Sequence, residues 1–473
     1  MRRWRRVIIY LVVFIFLGGY FYYFEVVKRH EREERKRLEK KVFHFEPDGA
    51  SEVHLVRPNS KEIIIKKTGS KWMLEEPVKT EADQASVKGL VNVVADIEAN
   101  KWLDIEKREA LKNYGLDKPA LEITVMVNGK TYSLRVGQKN PAGTGYYAQV
   151  AGQNRVFLMD TGRWGVLNKQ LFDLRRKELV TFEDEDVKSL TIGWDNSSSV
   201  QLVREDGGWK CVGNPGMKIK NSKVENVLDQ IRWMRARKFL SFENPNLKDY
   251  GLDRPKVSIV VVTGDDKKHE VLLAEPRKDN EKEAKNFLVA YTGDLPFVVY
   301  VDKDILNEIP KSPRDVEDRS VFVWKEEDIY KIAWAEGGKS YEVVKLSEDK
   351  WGIRIKDGEK PKEMKESWRV RSLFWELEDI EYDSVASSAS SPPSKPAMEI
   401  SFFDKTGKEL GRWVWGKLPE DGEKLVPLWI TEGGETKTVN IKAEGLKGVK
   451  EKVDNILKKF EQEDKKAKDK YNH

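Results

Sequence analysis

Two turns hold the residue types best placed to do chemistry. One reads Tyr114-Gly115-Leu116-Asp117-Lys118-Pro119. The other, further along the chain, reads Tyr250-Gly251-Leu252-Asp253-Arg254-Pro255. In each, a phenol and a carboxylate stand three residues apart, so Tyr114 with Asp117 and Tyr250 with Asp253 form a candidate polar binding site. The same residues also suit a plain corner between a helix and a strand. Gly115 and Gly251 supply a positive φ, the aspartate bonds nearby backbone amides, and Pro119 and Pro255 force the chain to extend. The corner is the stronger reading, because a third, decayed copy of the surrounding pattern has lost the turn.

A second candidate is aromatic. Trp413 and Trp415 lie two apart on one predicted strand, so they share a face. That face suits stacking on sugar rings or a partner protein, and equally suits a core. Trp72, Trp209 and Trp351 sit at equivalent repeat positions and read as core residues.

Other chemistry lacks its residues. The five histidines are His30, His44, His54, His269 and His473, and none is paired at metal-ligand spacing. Cys211 is the single cysteine, which excludes an intrachain disulfide and a cysteine zinc site. There is no Gly-rich phosphate loop, no Gly-x-Ser-x-Gly elbow and no His-Glu-x-x-His. The expectation is a protein without catalytic residues, cofactor or metal. Lys and Arg (85) nearly balance Asp and Glu (80), for a net charge of +5. Nucleic-acid binding needs a basic face that this balance gives no reason to expect.

The elements that hold these residues repeat. At 473 residues the chain is long enough for about three domains. Trp72 recurs as Trp209, Val87 as Val224, Leu90 as Val227, Val91 as Leu228 and Val94 as Ile231, all at one constant offset. In the first copy, β-branched and alternating stretches around 52–56, 63–65 and 71–74 predict a three-stranded meander. Val87, Leu90, Val91 and Val94 then fall on one stripe of a helix within 81–99. A second strand set follows at 120–127, 131–136, 146–150 and 155–159, with Asn128-Gly129 as a hairpin signal. Copy two repeats the pattern, its helix opening on Ser222 and Glu225, spaced as a capping box. Copy three keeps the helical stripe as Val370, Leu373, Phe374 and Leu377. It carries a Ser/Pro-rich loop over 384–396 where the turn should be, and ends in an amphipathic helix over 449–460. The predicted class is α+β: three tandem repeats over 46–182, 183–320 and 321–460, each a strand meander, an amphipathic helix and a second antiparallel strand set. A charged tail, 461–473, closes the chain.

Ahead of the repeats, an uncharged run of 18 residues, 7–24, opens with Val7 and closes with Phe24; twelve are Leu, Ile, Val or Phe. A helix of that length spans roughly 27 Å, near the hydrocarbon thickness of a bilayer, and its insertion is favourable by about 4–7 kcal/mol. A cleaved signal peptide is the rival, but Gly18-Gly19 is followed by bulky aromatics rather than a small-residue cut site. A single N-terminal transmembrane helix is therefore expected, with 1–24 as tip and anchor and 25–45 as a charged helical stalk. Arg2, Arg3, Arg5 and Arg6 favour a cytoplasmic N-terminus; the eight Lys/Arg of 25–41 oppose it but mix with five Glu. The expected place is the bacterial inner membrane, with the bulk on the periplasmic side.

These features together resemble the bacterial membrane-anchored family called domain of unknown function 4340. The residues that carry the likeness are the N-terminal run, the lone Trp of the third strand (Trp72, Trp209), the Tyr-Gly-Leu-Asp-x-Pro turn and the Val136-Gly137 strand end. The resemblance implies a companion of ABC-type transport systems of the kind linked to gliding motility, with permease or nucleotide-binding subunits as partners. It implies no catalytic residues. The leading expectation is a membrane-anchored, non-enzymatic accessory or scaffold. An envelope glycan-binding module resting on Trp413 and Trp415 is the alternative, and a cryptic hydrolase the remote one.

Overall fold

A computed structural model describes residues 14, 16, 18, 20–22, 39–99, 101–105, 108–195, 198–241, 245–277, 284–336, 338–354, 359–386 and 391–471. The chain groups into two compact bodies. One holds the first two repeats (1–216 and 221–316), the other the third repeat with a short inserted segment (217–220 and 317–473).

The first repeat has nine strands. They are β1 (Ala50–Val56), β2 (Ile63–Thr68), β3 (Lys71–Glu76), β4 (Thr80–Glu81), β5 (Trp102–Asp104), β6 (Leu121–Val127), β7 (Lys130–Lys139), β8 (Gly145–Val150) and β9 (Arg155–Asp160). Residue alternation drives them. In β6, Leu121, Ile123, Val125 and Val127 all point into the core and the residues between them do not. Asn128 and Gly129 both have positive φ, at 50° and 76°, as the tight β6–β7 hairpin requires. Helix α1 (Gln84–Ala95) starts at Asp83, whose side chain accepts from the Ser86 amide at 2.8 Å. It lays Val87, Leu90, Val91 and Val94 on the sheet, in one core with Val53, Leu55, Ile65 and Trp72. Burying each such side chain stabilises the fold by about 1.5–3 kcal/mol. Short helices α2 (Thr161–Leu167) and α3 (Leu171–Leu174) finish the repeat.

Repeat two follows with β10 (Val187–Trp194), β11 (Ser198–Glu205), β12 (Gly208–Cys211), helix α4 (Asn221–Arg232), β13 (Lys238–Phe239), β14 (Val257–Thr263), β15 (Lys268–Ala274), β16 (Phe287–Thr292), β17 (Leu295–Asp302) and α5 (Ile305–Glu308). Repeat three has β18 (Lys331–Glu336), β19 (Lys339–Ser347), β20 (Lys350–Arg354), β21 (Lys362–Glu363), helix α6 (Trp368–Glu378), β22 (Tyr382–Val385), β23 (Met398–Phe403), β24 (Glu409–Trp415), β25 (Leu425–Glu432), β26 (Glu435–Lys442) and α7 (Ala443–Tyr471).

The three sheets share one strand order. It runs β4-β3-β2-β1-β6-β7-β8-β9-β5 in the first and β21-β20-β19-β18-β23-β24-β25-β26-β22 in the third. Among the described residues the second follows it without a counterpart of β4. Local contacts repeat as well. The backbone amide of the third-strand tryptophan bonds the first side chain of the helix, or the one just before it, in every copy. Trp72 reaches Gln84 at 2.8 Å, Trp209 reaches Asn221 at 3.1 Å and Trp351 reaches Ser367 at 2.9 Å. In copy two the helix therefore opens at Asn221, one residue before the expected capping box.

The architecture corrects the predicted class. The protein is mostly antiparallel sheet rather than α+β with two separate strand sets. Strands β1 and β6 pair along their length, Val53 opposite Val125, and fuse both sets into one sheet; β10–β14 and β18–β23 do the same. The expected N-terminal transmembrane helix is not part of the observed fold. Among the described residues no helix is long and apolar enough to cross a membrane, and most of 7–24 and of the stalk 25–45 lies outside them. The tail expected from 461 is instead a continuation of α7, which runs to Tyr471.

Candidate functional site

The two turns are helix ends. Short 3-10 helices, Arg108–Tyr114 and Leu247–Tyr250, stop at Gly115 (φ +66°) and Gly251 (φ +76°). In the first, the Gly115 amide bonds the Lys112 carbonyl at 3.2 Å and the Leu116 amide bonds the Leu111 carbonyl at 3.0 Å. In the second, Gly251 bonds Lys248 at 3.2 Å and Leu252 bonds Leu247 at 3.0 Å. These paired bonds and the left-handed glycine make a Schellman cap, which satisfies carbonyls a helix end leaves free. Leu116 and Leu252 are the buried hydrophobic residues of the motif, each 2% exposed.

The rest of the turn is fitted to the sheet. An added Cβ on Gly137, in β7, would stand 2.2 Å from the Tyr114 carbonyl oxygen. Tyr114 sets its ring edge-on to Tyr147 at 4.9 Å, and the Tyr250 hydroxyl donates to the Leu240 carbonyl at 3.4 Å. Asp117 and Asp253 are exposed, and among the described residues neither has a hydrogen-bond or ion-pair partner. The expected aspartate-to-amide bond is thus absent. Pro119 and Pro255 are half-buried where the chain turns into β6 and β14. The phenols are held inward and the carboxylates stand in solvent, so each Tyr–Asp pair does not converge on a ligand.

Trp413 and Trp415 share a face of β24, as read from the sequence, but it is the inner one. They are 0% and 1% exposed, and Trp413 packs on Phe402 at 5.7 Å and Phe322 at 6.0 Å. Neither ring can stack on a sugar or a partner, so the aromatic binding face is corrected to core. Among the described residues the exposed tryptophans are others: Trp233 (66%), Trp368 (60%) and Trp375 (60%). Trp368 and Trp375 lie on α6 opposite Val370, Leu373, Phe374 and Leu377, with exposed Arg371 between them. The signal was available: once the core stripe is known, positions i, i+3 and i+7 from Trp368 must face away from it.

Two of the histidines are paired with carboxylates. His54, half-buried on β1, is 2.6 Å from Glu52 and 2.8 Å from Glu62, and Lys66 is 3.1 Å from Glu52. Burial pulls the His54 pKa down, but the two carboxylates outweigh it and leave it above the ordinary histidine value. Glu52 is pushed up by burial and then held below the ordinary carboxylate range by His54 and Lys66. His269 is buried beside Phe182 and bonds Asp294. Cys211 is buried and free, and His44 is exposed. His30 and His473 lie outside the described residues. Among the described residues no group of three or more His, Cys, Asp or Glu is arranged to hold a metal.

One concave feature recurs in all three repeats. An extended lead-in pairs with the segment after the long helix through single bridges: Lys41 with Glu98, Glu178 with Arg235, and Ser320 with Glu381. Beside each bridge a cleft opens between that segment and the helix following the last strand. Its volume is about 700 Å³ in repeat one and about 310 Å³ in repeats two and three. In repeat one, Asp96 sits there, paired with Lys41 at 3.3 Å and Arg163 at 3.8 Å. Trp233 stands from Asp96 at the same offset as Trp209 from Trp72, and it takes that place in repeat two. Repeat three has Asp379, with Glu381 paired to Arg319 at 3.0 Å nearby.

Among curated proteins no match to the chain is found. The sequence model of the family described as Domain of unknown function (DUF4340) matches residues 72–255 and again residues 243–398, together about two thirds of the chain. Both matches include the Tyr250–Pro255 turn, and both contain the third-strand tryptophan of a repeat, Trp72 and Trp209 in the first and Trp351 in the second. With that coverage, the chain belongs to the family Domain of unknown function (DUF4340).

Proposed function

We propose that the protein is a non-enzymatic interaction scaffold, an accessory of an ABC-type transport system that engages its permease or nucleotide-binding subunits. The observation that carries the scaffold reading is the outer face of α6. Trp368, Arg371 and Trp375 form a stripe on its exposed side, and both tryptophans leave 60% of their surface in solvent. Trp and Arg are the residue types that dominate binding energy at protein interfaces, and two indoles this exposed on one helix face mark a surface suited to a partner. The transport partner comes from the family resemblance. In this reading the sheets lie on the outer side of the bacterial cytoplasmic membrane, against the permease.

The test is affinity purification of the full chain from native membranes in mild detergent, beside a Trp368→Ala/Trp375→Ala variant. Transporter subunits should come down with the parent protein and be lost from the variant. Recovery of no transporter subunit overturns the transport reading; equal recovery by both proteins overturns the role of α6.

A further inference from the structure

We infer that the cleft of repeat two is a binding site for a neutral saccharide, with Trp233 as the platform for a pyranose ring. The cleft, about 310 Å³, lies between the end of α4 and the start of α5, within the size range of small-molecule sites. Trp233 is 66% exposed at its edge, the most exposed tryptophan among the described residues. Arg232 lies over the indole at 5.7 Å and is itself held by Asp229 and by Asp184 at 3.6 Å. The ring is thus braced from the end of α4 while most of its surface remains open.

The groups around the indole suit hydroxyls. Arg237 is fixed by Asp302, with Nε at 2.8 Å, and Arg235 by Glu178 at 2.5 Å. A guanidinium has five donors, so each keeps N–H groups to spare. Gln230, Asp304 and Glu308 also line the cleft, and among the described residues none has a side-chain partner. Two unpaired carboxylates beside the indole accept hydroxyl donors and repel anions, which favours an uncharged sugar over a phosphate or a nucleotide. The apolar face of a pyranose and its equatorial hydroxyls match an indole rimmed in this way.

In repeat one the same cleft is bridged by the Lys41–Asp96–Arg163 pairs, with Asp160 3.0 Å from Arg163. Repeat two exchanges that paired aspartate for an exposed indole and leaves three neighbouring polar side chains uncommitted. An ion-paired corner has been replaced by an open, amphipathic one.

The test is ligand-observed saturation-transfer NMR and calorimetry on the full chain with cellotetraose, maltotetraose and chitotetraose. At least one should bind. Trp233→Ala should weaken it about tenfold or more, the loss of roughly one good stacking contact, and Asp304→Asn should weaken it less. Trp233 is exposed, so circular dichroism and the urea midpoint of Trp233→Ala should match the parent. Absence of binding by all three sugars at millimolar concentration overturns the assignment, as does equal binding by parent and Trp233→Ala.

Discussion

Replacing Gly137 by alanine adds one methyl group where the Tyr114 carbonyl oxygen would stand 2.2 Å from the new Cβ, with the Gly115 carbonyl carbon and oxygen at 3.0 Å. Every one of these neighbours is backbone, so no rotamer change relieves the clash. The turn cannot drift away cheaply either. It is pinned by its two Schellman bonds and by Gln138 Nε2, which donates to the Asn113 carbonyl at 2.7 Å. Overpacking of this kind costs about 1–3 kcal/mol, and the alanine returns about 0.4–1 kcal/mol by restricting the unfolded chain. The net expectation for Gly137→Ala is a loss of about 1–1.5 kcal/mol. Gly416 is the equivalent residue in repeat three, where the turn is missing. Nothing lies within 4 Å of its would-be Cβ and its φ is outside the left-handed region. Gly416→Ala should therefore stabilise by about 0.4–1 kcal/mol. Gly251→Ala isolates the remaining contribution: open space, but φ +76°, for a cost of about 1–2 kcal/mol. Because a chain of several bodies need not unfold in two states, the readout is hydrogen exchange resolved by segment during a urea titration. Protection over 111–120 and 130–139 should fall in Gly137→Ala, and protection around 409–416 should hold or rise in Gly416→Ala. Equal effects of the two substitutions would refute the claim that the turn and this glycine are one fitted unit.

Arg175 is 1% exposed, its guanidinium carbon 3.4 Å from the centre of the Phe239 ring and 4.2 Å from that of Phe297. Its Nε and Nη2 have no hydrogen-bond partner among the described residues, and burial pushes its pKa down to about 10. A base whose pKa falls on folding binds fewer protons folded than unfolded, so its penalty should ease as pH rises from about 10 toward the unfolded value. Arg175→Met, which keeps the packing and removes the charge, should change the urea midpoint little or raise it, whereas Arg175→Ala should cost about 2–4 kcal/mol. His54 makes the opposite kind of contribution. Its pKa is raised, so its stabilisation is complete below the unfolded value and is lost as pH rises through the folded one; that of Glu52, with a lowered pKa, is lost as pH falls. The stability gap between parent and His54→Gln should therefore be widest in mildly acid buffer and close above neutrality, a change of about 1 kcal/mol at most for a cluster still partly in solvent. A gap that does not vary with pH would contradict it.

Much of the scaffold was legible because its signals are local and repeated. The stripe Val87, Leu90, Val91, Val94 and its two later copies fix three helices, and Asn128-Gly129 fixes a hairpin, by rules that need no partner strand. What the sequence hid was pairing at a distance. Nothing in the alternation of β1 says that its neighbour is β6, which enters the chain only after α1 and the turn at Gly115. The strand sets therefore read as two when they are one sheet. The two-residue spacing of Trp413 and Trp415 gave a shared face but not its side, because the period of a strand carries no label for inside and outside. Trp233 is hidden in the sequence for the opposite reason. It stands alone past the end of a helix, and only the cleft around it gives it meaning.

The family matches and the sheets divide the chain differently, and folding can tell which division is physical. The first match begins at Trp72, in β3, and ends at Pro255, just before β14. A polypeptide cut to 72–255 would keep β6 without β1 and β10 without β14. Those pairs form the seams of the first two sheets, and Leu121, Ile123, Val125 and Val127 of β6 are each at most 3% exposed in the intact protein. Two apolar central strands would become edges, open to pairing with other chains. A fragment of residues 39–316 keeps both seams and both cores. It should give a cooperative melt and dispersed amide resonances, whereas the 72–255 fragment should aggregate or stay unfolded. A monomeric, cooperatively folding 72–255 would mean that the β1–β6 and β10–β14 seams are dispensable, and that each half of a repeat is a stable unit in its own right.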